Sequence, residues 1–285
     1  MGRGNNFGLG SRDMGKAATF AMKGEARDGN ASFSSAETVS DRFQQFAAYA
    51  KGEGLRRLEE VTRETVSAYG QALANQVERG ALSASYAQNL VSAVNTVMST
   101  ATRGDWKSVS PTREAGIEQR SSIRETPAAS ADRSTYQDAR GSLSERGAAV
   151  ADLCRDLGLR SKESSLIDAG KALQQANERG AVMVTEGTKG GRPREVPITA
   201  QRQIETLQRA ATVQGEARSM IPESQSWAQW RDGELRDTRE ALQDAGVPGI
   251  HDLRSGYASE RYEQLTGYAA PVSGGGAPRE LDRHA

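Results

Sequence analysis

Residues 181–198 read Ala181-Val-Met-Val-Thr185, then Glu186-Gly-Thr-Lys-Gly-Gly-Arg-Pro193, then Arg194-Glu-Val-Pro-Ile198. Two short β-prone runs bracket a Gly-rich loop that carries Lys189 and Arg192. Branched side chains favour extended backbone and the glycines let the chain turn back, so the stretch predicts a β-hairpin with an exposed cationic tip. Elsewhere the apolar residues recur at three- and four-residue spacing, which is helical. The predicted class is therefore mainly α, with one small antiparallel sheet in a mostly helical second domain.

Upstream of the hairpin, a helix is expected from Ser142 to about Leu157, with Leu143, Ala149, Val150 and Leu153 on one side. After Arg160 comes another, with Leu166 and Ile167. Downstream, Thr199 caps a helix running to about Val213, a further helix spans Trp227 to Asp244, and Val247-Pro-Gly249 interrupts before a helix that starts near His251. Further back, Val39, Phe43, Phe46 and Ala47 mark a helix from Ala36 to about Gly52. A second helix, N-capped by Thr62, carries Val66, Tyr69, Leu73 and Val77. A third, opened by Ser83, carries Tyr86, Leu90, Val94, Val97 and Met98. These divide the chain into a flexible arm over 1–34, a helical domain over 35–106, a polar linker over 107–133 and a second domain over 134–285.

Composition excludes several classes. The 285 residues hold 36% hydrophobic and 5% aromatic side chains, and no run approaches the ~20 apolar residues that span a bilayer, so neither export nor membrane insertion is expected. The single cysteine, Cys154, and the 2 histidines predict no internal disulfide and no cysteine- or histidine-rich metal site, and place the chain in a reducing cytoplasm. Lys plus Arg and Asp plus Glu each number 37, so attraction to a polyanion must come from local arrangement of charge.

The chain lacks a Gly-x-Ser-x-Gly elbow, a Gly-Lys-Ser/Thr phosphate loop and a His-Glu-x-x-His motif. A basic constellation remains: Leu157-Gly-Leu-Arg160-Ser-Lys-Glu163 at a turn into a helix, Lys189 on the hairpin tip, and His251-Asp-Leu-Arg254 opening a late helix. Two arginines can grip phosphate oxygens through planar forks, while a lysine and a histidine can move protons. Each residue also has a plainer reading. Arg160 and Glu163 suit a surface ion pair or cap, Lys189 a solvated turn, and His251 with Arg254 a packing pair. Spacing alone leaves the function open.

Taken in order, these three segments resemble the boxes of the tyrosine recombinase, or phage integrase, family, and the helices before residue 106 resemble its core-binding, SAM-like domain. The resemblance spans roughly residues 36 to 270. It implies that Arg160 and Arg254 bind the scissile phosphate, that Glu163 orients Arg160, that Lys189 is the general acid, and that His251 completes the His-x-x-Arg box. Arg192 and Arg194 are expected to contact DNA. It implies further a protein that clamps double-stranded DNA between two domains, works as a tetramer in the bacterial cytoplasm at the nucleoid, and breaks and rejoins strands through a 3'-phosphotyrosyl link to integrate or excise a mobile element. No metal or cofactor is implied.

The pattern departs at its end. The family places a His or Trp and then the nucleophilic Tyr on helices well beyond the second arginine, and 31 residues follow Arg254 here. Tyr257 and Tyr262 share the predicted helix of Arg254, which leaves Tyr268 as the remaining candidate. The final catalytic segment is thus expected to be absent and the nucleophile is unassigned. A cleavage-deficient DNA-binding protein that occupies sites or joins complete subunits is the alternative function, and a helical interaction protein without DNA affinity a third.

Overall fold

The computed structural model describes residues 5–121 and 126–275. Residues 1–4 of the expected arm, Ile123 in the expected linker, and residues 276–285, with His284, lie outside the described residues. The chain divides into two compact units, Met1–Ser122 and Ile123–Ala285.

Four helices build the first unit: α1 (Met14–Arg27), α2 (Phe33–Gly52), α3 (Arg63–Glu78) and α4 (Ala84–Ala101). Each begins at a side-chain cap, from Asp13, Ser32, Thr62 and Ser83 respectively, which satisfies a backbone N–H of the first turn. Phe43, Phe46, Val66, Tyr69, Leu90, Val94 and Met98 fill the core. Helix α1 stands where the sequence predicts a flexible arm. Its face of Met14, Ala17, Ala18 and Met22 is buried in the same core, and small side chains let α1 lie close to α2. Ahead of it, Asn6 is buried: its Oδ1 accepts from the Leu58 N–H at 2.7 Å, and Glu59 accepts from the N–H groups of Asn6 and Phe7.

The expected linker is also corrected over its first half. Val109, Ala115 and Ile117 are buried in the first core, Asn95 Nδ2 donates to the Val109 carbonyl at 2.8 Å, and Gln88 Nε2 donates to that of Glu118 at 2.6 Å. This stretch has few large apolar groups, but those it has are inserted, and polar side chains of α4 satisfy its backbone.

The second unit holds α5 (Arg133–Arg140), α6 (Glu145–Leu157), α7 (Ser161–Leu166), α8 (Ala169–Arg179), strands β1 (Ala181–Val184) and β2 (Arg194–Pro197), then α9 (Gln201–Gln214), α10 (Trp227–Asp232), α11 (Glu234–Asp244) and α12 (Ile250–Thr266). The strands pair antiparallel, with Ala181 opposite Pro197 and Val184 opposite Arg194, as the predicted hairpin requires. Val182, Val184 and Val196 turn inward. Helix α5 lies partly inside the expected linker. The helix predicted from Trp227 to Asp244 is broken at Gly233 into α10 and α11, and α9 is capped by Gln203, which accepts from the N–H groups of Thr199 and Ala200, rather than by Thr199 itself. Among the described residues no helix is long and apolar enough to cross a membrane.

Helix α6 is the centre of this unit, buried from Gly147 to Leu157. It carries three charged residues into the interior, and each meets partners from surrounding segments. Asp152 accepts from the Tyr136 hydroxyl at 2.6 Å and pairs with Arg140, Arg155 donates to the Ser130 carbonyl at 2.7 Å and to Glu260 at 2.6 Å, and Asp156 pairs with Arg133 and accepts from Thr206. Buried charge is tolerable only when matched in this way, so these pairs fix how α5, α9 and α12 dock on α6.

Candidate active site

Helix α6 ends at Gly158, which takes the left-handed conformation (φ 62°, ψ 28°) that glycine enters without steric cost. The turn delivers Leu159 to the core and Arg160 to the start of α7. Glu163 folds back over that start. Its Oε2 accepts from the Arg160 backbone N–H at 2.8 Å and its Oε1 from the Arg160 guanidinium at 2.6 Å, while the carboxylate has no solvent exposure.

A second guanidinium reaches the same carboxylate from the hairpin. Arg194, at the start of β2, donates through Nη2 to Glu163 Oε2 at 2.7 Å and to the Gly158 carbonyl at 3.2 Å. Burial alone would raise the Glu163 pKa, but the hydrogen bonds from Arg194 and Arg160 outweigh it and hold the carboxyl below its usual range. Arg254, on α12, lies close enough for both arginines to be felt. Burial and then the positive charges of Arg160 and Arg194 lower its pKa, with Glu163 opposing them. The Arg254 guanidinium makes no hydrogen bond or ion pair among the described residues. Two guanidinium groups thus bond one carboxylate and a third lies within electrostatic reach of it, so positive charge is in surplus there. Beneath them the Cys154 thiol, 3.1 Å from Ser164 Oγ, is pushed up to about 12 by burial and is inert as a nucleophile.

Lys189, Arg192 and His251 are placed differently. Lys189 opens the turn Lys189–Gly191 at the hairpin tip, Arg192 follows it, and His251 lies in the first turn of α12. All three are exposed, and their side chains make no hydrogen bond or ion pair among the described residues. Arg160, Glu163, Arg194 and Arg254 therefore form one cluster, with the lysine on a neighbouring strand connection and the histidine one turn before Arg254.

Two groups of supporting residues have no motif in the sequence. Ser130 donates through N–H and Oγ to the Asp252 carboxylate at 3.1 and 3.2 Å, and Glu260 gathers Arg133, Arg155 and Arg202. Together they pin α12, and with it His251 and Arg254. On the other side, the Trp230 indole donates to Ser165 Oγ at 3.0 Å and Lys162 lies over the Trp227 ring, which seats α7 on α10. The partners are 58 to 127 positions apart, so no local pattern announces them.

The tyrosines of α12 are committed to packing. The Tyr257 ring covers Gly158, where an added Cβ would lie 2.3 Å from it, and the Tyr262 hydroxyl is buried without a hydrogen-bond partner among the described residues. Tyr268, beyond the helix, is 52% exposed.

Residues 118–260, half of the chain, match the protein family described as integrase. No curated protein matches the sequence. Solved structures do match in fold. A lambda integrase dimer bound to a COC' core site superposes with a TM-score of 0.55 at 16% identity, over 92% of this chain and 75% of that one. The Tn1549 transposon integrase in complex with transposon right end DNA gives 0.56 at 12% identity, over 93% and 89%. The XerH site-specific recombinase bound to a palindromic difH substrate gives 0.58 at 13% identity, over 95% and 80%.

Proposed function

The chain belongs to the integrase family, and from that premise we propose that it is a site-specific DNA recombinase whose guanidinium cluster holds the scissile phosphate of double-stranded DNA. The observation that carries this reading is the set of three arginines around one buried carboxylate. Such crowding of like charge is unfavourable by itself and is relieved when an anion enters. Arg160 and Arg254 offer forks to the non-bridging oxygens and stabilise the extra charge of a pentavalent transition state, without help from a cofactor. Lys189, on the exposed hairpin tip, protonates the departing 5' oxygen, and His251 assists proton transfer. In strand exchange a tyrosine hydroxyl attacks the scissile phosphorus as the bond to the 5' oxygen breaks, which leaves a 3'-phosphotyrosyl link between protein and DNA, and subunits assembled as a tetramer on DNA in the bacterial cytoplasm integrate or excise a mobile element in this way.

The packing of Tyr257 and Tyr262 supports a second reading, in which the chain binds DNA sites without cutting them or acts beside complete subunits. The test uses the full chain with nicked duplexes selected for binding from a random pool, analysed on denaturing gels. A covalent protein–DNA adduct that falls by about 10²-fold or more in Arg254→Ala is the expected result. Binding without adduct assigns the second reading, and no DNA binding overturns both.

A further inference from the structure

Resting on that phosphate-binding reading, we propose that Arg194 is a positioning residue, which acts through Glu163 to hold Arg160 and the Lys189 hairpin in one arrangement, rather than the direct DNA contact expected from its place in a basic loop. Its hydrogen bonds are directed into the protein. Nη2 is shared between Glu163 Oε2 at 2.7 Å and the Gly158 carbonyl at 3.2 Å, and Nε is buried without a partner. A bidentate grip on phosphate needs two neighbouring N–H groups on one edge of the fork, and with Nη2 bonded inside the protein and Nε buried, Arg194 has only Nη1 to offer. Arg160 and Arg254 keep more of theirs: Arg160 gives Nη1 to Glu163, and Arg254 gives none.

The two acceptors of Arg194 lie on either side of Arg160 in the chain. One guanidinium therefore ties the carbonyl that ends α6 to the carboxylate that opens α7, and fixes the turn from which Arg160 projects. Arg194 also begins β2, paired with Val184 across the hairpin, so the same bonds hold the base of the loop carrying Lys189. Gly187 brings that loop against α7. A Cβ added there would lie 2.9 Å from the Lys162 carbonyl, an approach only glycine permits. Loss of Arg194 frees the hairpin from α7 and leaves Glu163 to Arg160 alone, which lowers the net positive charge of the cluster.

The experiment compares wild type, Arg194→Gln, Glu163→Gln, the double variant and Arg254→Gln by equilibrium binding to a 30-base-pair duplex and by thermal unfolding. A positioning role predicts that Arg194→Gln weakens binding by about tenfold, that adding it to Glu163→Gln changes binding by less than about twofold, and that the two changes are likewise non-additive in Tm. The log–log salt slope stays at the wild-type value in Arg194→Gln, whereas Arg254→Gln lowers it by about 0.9. A pH profile separates this role from general loosening of the fold. The charged groups facing Glu163 are Arg160 from its own turn, Arg194 from β2 and Arg254 from α12, with the Cys154 thiol of α6 beside it. Without Arg194 the carboxyl rises toward its ordinary value, so the acid limb of DNA binding moves to higher pH. A slope reduced by about one in Arg194→Gln, with multiplicative effects and an unmoved acid limb, makes Arg194 a direct contact and overturns the proposal. If wild type binds no DNA, the phosphate reading fails instead, and independence of Arg194 and Glu163 in Tm still overturns the coupling claimed here.

Discussion

Glu163 has no solvent exposure, yet it is held ionised because the Arg160 N–H and two guanidinium groups converge on it. Its folded pKa lies below the ordinary 4.5, so these pairs contribute fully above that value and are lost as pH falls through the lower folded value. Tm is accordingly expected to fall as pH drops below about 4.5 in wild type and to be flatter there in Glu163→Gln, which at neutral pH loses about 1–3 kcal/mol. Equal acid limbs in the two proteins would contradict the assignment. The pairing of Arg160 with Glu163 was legible in the sequence because three residues at a helix start bring the groups together. Arg194 was not, since its meeting with Glu163, 31 positions away, depends on how the hairpin docks against α7.

At the level of elements, the hairpin and the helices with large apolar stripes were readable, and the segments that pack through small side chains were not. Helix α1 buries alanines and methionines, which a search for Leu, Val and Phe passes over, and the expected linker contributes Val109, Ala115 and Ile117 singly. Deleting residues 5–31 is therefore expected to lower the unfolding temperature of the first unit by several degrees in calorimetry, because the buried face of α1 is lost, whereas removal of a true flexible arm would leave it unchanged. Helix α12 was found through His251 and Arg254, but its seat was not. Glu260 binds Arg133, Arg155 and Arg202 from three other segments, and Arg155 is fully buried. Glu260→Gln is expected to cost about 3 kcal/mol in urea unfolding, since it removes the carboxylate charge facing the buried Arg155. A cost below about 0.5 kcal/mol, usual for exposed pairs, would show that this network does not anchor the helix.

Over the whole molecule positive and negative charges cancel, with 37 of each. Affinity for a polyanion must therefore come from where the charges stand, and among the described residues Arg160, Arg194 and Arg254 gather around the single carboxylate of Glu163, beside the cationic hairpin tip. Whole-chain net charge carries no sign of this, because carboxylates elsewhere balance it. The most direct test of the central claim is fluorescence anisotropy of a labelled duplex titrated with wild type, Arg160→Gln and Arg254→Gln from about 50 to about 300 mM salt. The guanidinium site predicts log Kd rising linearly with log salt, with a slope of several units in wild type that decreases by about one in each variant. A slope near zero, or one that neither substitution changes, would contradict the account.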